Sequence, residues 1–507
     1  MYSESLAHRR SSTGAAPARV ENRRAGPAGV SRRLYNRDLA PTLAAGRQWT
    51  AYHVFTVWAN DVHSLGNYTF AIGLFALGLG VWQILAAFAI GAAVLFGLLT
   101  LSGFMGQKTG VPFPVLSRIA FGIKGAQVAA VVRGGVAIVW FGIQTYLASV
   151  VLRGLLLAVF PALARLDGDH VLGLSLLGWC AFAALWAVQV VIVSYGMGMV
   201  RRYVSVAGPV ILVTMLALAV WVFVRAGASI AWSTGESLTG WPMWREILSA
   251  AALWVVIYGT FALNFCDFTR SVADRRSIVL GNLFGIPLNM LFFAVIVVVL
   301  AGAQFRIDGR IIESPADIVQ TIPDTGLLAL AAGALIVLTI AVNLVANFVA
   351  PIYMLANLFP RYLNFRRAGL VSALLGVAIL PWNLYNSPIV IEYFLGALGC
   401  LLGPVFGVLI ADYWLVRRAC INVPDLYTEA AHGDYHYRHG FNPRAFAAGI
   451  PAALISLAVA LAPPFAALAG FSWFFGAGLA GLIYTLIADR SQQPRDIDGE
   501  SIAVASE

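Results

Sequence analysis

Long apolar blocks decide what this chain can become. Residues 277–302 and 444–463 are two of about a dozen such stretches, each near 20 residues and almost free of charge. A helix needs about 20 apolar residues to cross the hydrocarbon core of a bilayer. Over the 507 residues only 11% are charged and 60% are hydrophobic. Soluble domains carry roughly 25% charged residues, so this chain cannot cover a water-facing surface. It reads as one all-α polytopic membrane protein.

The expected spans are 51–76, 80–103, 122–156, 172–196, 203–225, 247–269, 277–302, 326–355, 367–384, 388–415, 444–463 and 467–488. The net charge of +9 does not point to nucleic acid, because of where the charge lies. Nine arginines fall within residues 1–49, and pairs such as Arg201 and Arg202, Arg275 and Arg276, Arg366 and Arg367, and Arg417 and Arg418 flank spans. Basic residues concentrate on the cytoplasmic side of membrane proteins. With the N-terminus inside, about 27 Lys and Arg are cytoplasmic and about 6 external. Twelve spans return the C-terminus to the same side, and the expected location is the cytoplasmic, or inner, membrane. Residues 1–30 hold no apolar signal-peptide core. They read as a disordered cytoplasmic tail, as does the polar end from about residue 491.

Two spans carry signs of a break. In the first, Asn60 to Asn67 hold six polar or glycine residues in eight; in the sixth, Tyr258-Gly259-Thr260 falls mid-span. Unwound backbone at membrane depth is tolerated where it lines a cavity or is buried in protein. Interruptions at matching places in two halves point to a central binding site.

The residues that carry chemistry cluster near these breaks. Trp140 and Gln144 are four apart in the third span and share a helix face. An indole beside a carboxamide suits a flat heterocycle, the ring stacking and the amide pairing with its edge. A packed Trp with a Gln bonded to a neighbouring helix is the plainer alternative. Asn343 and Asn347 have the same spacing in the eighth span, where bonding between helices is the plainer role. Asp61 and His63 lie deep in the first span, and intramembrane ionisable residues mark ion or substrate paths. Glu392 reads as a vestibule wall, while Arg133 and Asp267 snorkel or pair near span ends. His432, His436 and His439 lie in the polar loop 416–443 and read as solvated. No phosphate-binding GxxxxGK[ST], HExxH or GxSxG occurs.

Several stretches together resemble a known family. They include Asn36-Arg37-Asp38-Leu39-Ala40-Pro41-Thr42 with Trp49, and Gly110-Val111-Pro112-Phe113-Pro114-Val115 with Arg118. Trp140-Phe141-Gly142-Ile143-Gln144-Thr145 and Asn264-Phe265-Cys266-Asp267-Phe268-Thr269-Arg270 add to them. So do Asn343-Leu344-Val345-Ala346-Asn347 with Pro351, Ala411-Asp412-Tyr413, and Pro424-Asp425-Leu426-Tyr427. From about Tyr35 to the twelfth span, the chain resembles the bacterial and fungal permeases for nucleobases, allantoin and hydantoins, the first of the nucleobase–cation symporter families.

The resemblance implies a leucine-transporter-type fold: a 5+5 inverted repeat plus two C-terminal helices. The parts are then a tail (1–49), a first repeat (50–225), a second repeat (247–415), a cytoplasmic loop (416–443), two extra helices (444–489) and a tail (490–507). It also implies that Trp140 stacks on the substrate ring and that Gln144 and Asn347 bond its polar edge. Tyr258 stands where many relatives have a second stacking Trp, and Ser64 lies within reach of substrate. Ion coupling is expected around Asn60, Asp61, His63 and Asn343.

In sodium-coupled relatives two hydroxyls precede the first Asn of the eighth-span motif; here Ala341 and Val342 stand there. That puts sodium in doubt and leaves H+ or Na+ as the coupling cation, with no other cofactor. The expectation is a secondary transporter, not an enzyme. It would import uracil, thymine, cytosine, allantoin or hydantoin, with purine, thiamine or another vitamin, or a non-transporting nutrient sensor, as alternatives.

Overall fold

Helices that are apolar on every face belong inside a bundle or against lipid, and the computed structural model packs them in that way. It describes residues 29–235, 238–491 and 495–503, with the backbone path alone at 388–398 and 503. Among these residues ten helices are long and apolar enough to cross a membrane. They include the second span, Val81–Thr109, the third, Ala126–Val159, and the fifth, Met197–Arg225. The sixth is Gly240–Asn264, the seventh Arg275–Asp308 and the eighth Thr325–Leu358. The eleventh and twelfth are Pro443–Leu461 and Pro463–Ile487. The first span is split into two short helices and the ninth, Phe365–Ala378, stops early; with them the spans number twelve.

The most apolar windows of the third and sixth spans are 61% buried by the rest of the protein, those of the eleventh and twelfth 28% and 22%. The former stand at the centre, the latter at the edge.

The first span breaks where its polar run predicts. Ala51–Val62 ends, and Leu65–Ala76 begins after Ser64, whose backbone is extended and whose hydroxyl accepts from the Asn67 N–H at 3.2 Å. That is an N-cap in mid-bundle. The Asn67 side-chain amide then donates to the Asp61 and Val62 carbonyls, at 2.9 and 3.2 Å. The break therefore exposes few orphan backbone groups.

The expected break in the sixth span is absent. Helix Gly240–Asn264 runs unbroken through Tyr258, Gly259 and Thr260, and turns only at Phe265. One glycine inside a helix costs roughly 0.5–1 kcal/mol and does not end it. Gly259 serves close packing instead: a Cβ there would sit 2.7 Å from Nε1 of Trp473 on the twelfth span. Irregularity appears elsewhere, as π-helical turns at Phe284–Leu288, Leu344–Phe348 and Ala411–Val416 in the seventh, eighth and tenth spans. Such turns occur often at functional sites.

The two ends of the described chain, near residues 29–40 and 495–503, lie on one side of the bundle. Asn36 donates to the Pro360 and Leu363 carbonyls, Asp38 accepts from the Phe365 N–H, and Arg270 reaches the Asp38 and Ala40 carbonyls. Arg118 bonds the Leu34 and Leu426 carbonyls. The C-terminal end corrects the expectation of a disordered tail. Asp496 pairs with Lys108 at 2.8 Å, Arg495 with Asp434 at 2.5 Å, and Ile502 is buried. Charge pairing and one apolar anchor hold 495–503 against the loop before the eleventh span. Residues 1–28 lie outside the described residues.

Candidate substrate and ion site

Four spans meet around the break in the first one. Tyr258, fully buried on the sixth span, accepts at its hydroxyl from the Asn67 amide at 3.0 Å. The same hydroxyl faces the Asp61 carboxylate, which also lies in the field of Arg133. Of the two roles expected of Arg133, snorkelling or pairing, the first does not occur: the side chain is 1% exposed. It spans three helices instead. Its Nε donates to the Thr260 carbonyl and to Asn264 Oδ1, both at 3.0 Å, and its Nη2 to the Ala346 carbonyl at 2.8 Å. Ala346 belongs to the π-turn of the eighth span, where the backbone ladder is irregular and can present a carbonyl sideways. Nη1 of Arg133 is buried with no partner among the described residues. Asp267 accepts from the Phe113 N–H at 2.7 Å and from Asn264 at 2.9 Å, an internal role at the base of the sixth span.

A second polar group joins the third, fourth and eighth spans. The Asn343 amide donates to the Phe141 carbonyl, Thr145 Oγ1 and Gln189 Oε1, at 3.0, 3.0 and 2.7 Å. Asn347 donates to Asn343 Oδ1 at 3.0 Å. Asn343 is thus engaged in bonding between helices, its plainer role, and it orients Asn347 within the π-turn. Gln144 is buried on the adjoining face of the third span, and its Oε1 has no hydrogen-bond partner among the described residues. Buried amides without partners are uncommon. Trp140, one turn away on the same face, is half-buried.

The remaining expected residues of the first span have partners of their own. His63 is fully buried against the seventh span, with Nδ1 2.7 Å from the Tyr68 hydroxyl and Nε2 3.1 Å from Asn289 Oδ1. Both its ring nitrogens have partners other than Asp61. The Asn60 amide donates to the Thr56 and Val204 carbonyls, at 2.6 and 2.8 Å, tying the first span to the fifth, while its Oδ1 is buried with no partner among the described residues. Ser64 caps a helix. Ala341 and Val342 are buried, and the nearest hydroxyl on that helix, Thr339, is bonded to its own backbone at Leu335. The Glu392 side chain lies outside the described residues.

Sequence reasoning passed over Asn67, Arg133 as a bridge, Thr145 and Gln189. Asn67 closes the polar run of the first span and Thr145 adjoins Gln144, so both were in view; nothing local marks Gln189.

A broken first span, a π-turned eighth span and polar side chains gathered between them define a permease of the leucine-transporter type. The chain belongs to the family of permeases for cytosine/purines, uracil, thiamine and allantoin, which it matches over residues 41–480. It is 36% identical to the allantoin permease of Bacillus subtilis (strain 168), covering 90% of this chain and 94% of that one. It is 31% identical to a putative allantoin permease of Escherichia coli (strain K12), covering 90% and 96%. Among solved structures it resembles Mhp1, a nucleobase-cation-symport-1 family transporter, in a closed conformation with bromovinylhydantoin bound. The TM-score is 0.74 at 24% identity, over 89% of this chain and 95% of that one.

Proposed function

We propose that this protein imports a small neutral nitrogen heterocycle across the cytoplasmic membrane, with both chain ends inside. A five-membered ureide such as allantoin or hydantoin stands first, and uracil, thymine or cytosine next. The observation that carries this reading is the Gln144 amide, buried one turn from Trp140 with no partner for its oxygen among the described residues. A ring N–H supplies the donor that oxygen lacks, Trp140 supplies a stacking face, and Asn347, steadied by Asn343, supplies a second amide. The names of the Bacillus subtilis and Escherichia coli relatives, 36% and 31% identical, favour allantoin within that class. No covalent chemistry is required: the site opens to alternate sides as one helical bundle rocks against the other.

The test is uptake of labelled allantoin into proteoliposomes. Saturable accumulation of unmodified allantoin, competed by hydantoin, is expected. Competition by purines or thiamine instead would move the substrate class, and binding without uptake would make the protein a sensor. Trp140→Ala is expected to weaken binding by about 1–3 kcal/mol, roughly 5–150-fold. Gln144→Ala should cost about 1–3 kcal/mol, more for rings that present both a donor and an acceptor.

Coupling to a proton at Asp61 is the second part of the proposal. Ala341 and Val342 offer no side-chain oxygen to sodium, a hard cation, whereas Asp61 presents a carboxylate beside the Tyr258 hydroxyl. Uptake is expected to rise as external pH falls, to collapse with a protonophore, and to be indifferent to replacing sodium with choline. Asp61→Asn should retain binding and lose accumulation against a gradient. Strict sodium dependence at constant pH would make the Asp61 carboxylate a sodium ligand instead.

A further inference from the structure

A cavity of about 370 Å³ opens on the side of the bundle that carries both chain ends, far along the chain from the central site. It lies between the π-turn Ala411–Val416, the start of the eleventh span and the end of the twelfth. Its volume falls within the ~300–1,000 Å³ of small-molecule sites. Four arginines line it: Arg417, Arg418, Arg444 and Arg490.

Two of the four have carboxylate partners. Arg417 bonds Asp412 at 2.8 Å and Tyr437 at 2.5 Å. Arg444 pairs with Asp489 at 2.8 Å, and the Ser491 hydroxyl together with Arg444 holds the Asp489 carboxyl well below the usual range. Asp434, also in the wall, is bound by Arg495, which reaches Asp425 as well. Arg418 is exposed and has no ion pair or side-chain hydrogen bond among the described residues, and Arg490 reaches only the Thr485 carbonyl at 3.0 Å. With Arg495 and Asp425 included, five guanidiniums stand against four carboxylates, a surplus of one positive charge.

The wall also holds apolar Leu415, which is 59% exposed. Of the three spans that bear the cavity, the tenth is 67% buried, while the eleventh and twelfth, at 28% and 22%, are the least buried of the ten, so the cavity adjoins the lipid-facing edge of the bundle.

We infer that this cavity binds the phosphate headgroup of an anionic phospholipid, with Arg418 and Arg490 as the guanidiniums that contact it. Guanidinium forks match phosphate oxygens in pairs, basic pockets between spans on the cytoplasmic side suit anionic headgroups, and exposed Leu415 meets the chains. One surplus charge matches one phosphodiester.

The test uses the purified full chain in a neutral detergent, titrated separately with dioleoyl phosphatidylglycerol, dioleoyl phosphatidylcholine and sodium phosphate, and read by melting temperature and by native mass spectrometry. Phosphatidylglycerol is expected to raise the melting temperature where phosphatidylcholine does not, and to remain bound. Each arginine removed should weaken it about fivefold, so Arg418→Gln with Arg490→Gln should lose roughly 30-fold, and Arg276→Gln, exposed on the same side, nothing. Arg490→Gln alone serves if the double variant does not fold. Equal stabilisation by the two lipids, or a double variant that binds like the wild type, overturns the site. Full stabilisation by sodium phosphate overturns the lipid as its source.

Discussion

The first and sixth spans hold matching places in the two halves of the fold, yet one is broken and the other continuous. In the first, polar residues crowd eight positions, and their side chains replace the lost backbone bonds: Ser64 caps the second helix and Asn67 takes the carbonyls of Asp61 and Val62. In the sixth, Gly259 is flanked only by Tyr258, whose hydroxyl is turned to Asn67, and Thr260, whose hydroxyl bonds the Ile257 carbonyl, and the helix continues. A break in a bundle thus requires side chains that satisfy the freed backbone, and a glycine without them marks a close contact. The two spans meet at Tyr258, whose hydroxyl accepts from Asn67 and faces Asp61.

Asn67→Ala is the strongest way to break that contrast. It leaves two buried carbonyls short of a donor, at about 1–3 kcal/mol each, so a loss of roughly 2–6 kcal/mol is expected in thermal or denaturant unfolding, along with uptake. Wild-type stability in a well-expressed variant would mean that the break does not depend on this side chain. Gly259→Ala comes next, at about 1–3 kcal/mol of overpacking against Trp473. Trp473→Phe in the same chain should recover part of it, because the clashing Nε1 is gone. A hinge would behave differently: transport lost, stability kept, no rescue. Tyr258→Phe is the mildest, at about 0.5–1.5 kcal/mol, since Asn67 keeps both carbonyl partners. Its effect should appear in the pH dependence of uptake more than in melting, because the hydroxyl it removes faces Asp61. A pH profile superimposable on the wild type would separate Tyr258 from coupling.

Much of the centre was legible in advance for a local reason. The polar run at Asn60–Asn67 and the four-residue spacings Trp140–Gln144 and Asn343–Asn347 are readable along one helix. The mid-span break at Tyr258-Gly259-Thr260 was misread because a packing glycine and a breaking glycine look alike until the facing residue is known, and that residue, Trp473, is more than 200 positions away. His63 was read with Asp61, its neighbour in sequence, while its ring is turned to Tyr68 and Asn289.

By itself the sequence determined the membrane class, the number of spans and the broken first span, because hydropathy and capping are sums over a few consecutive residues. Only the tertiary structure decided that Arg133 bridges Thr260, Asn264 and Ala346, that Asn343 is held by Gln189, that the Gln144 oxygen has no partner among the described residues, and that 495–503 dock beside Lys108. Each of these depends on which groups meet across spans far apart in the chain. A buried donor or acceptor bonds whatever packing brings within about 3 Å, and no local pattern records that partner.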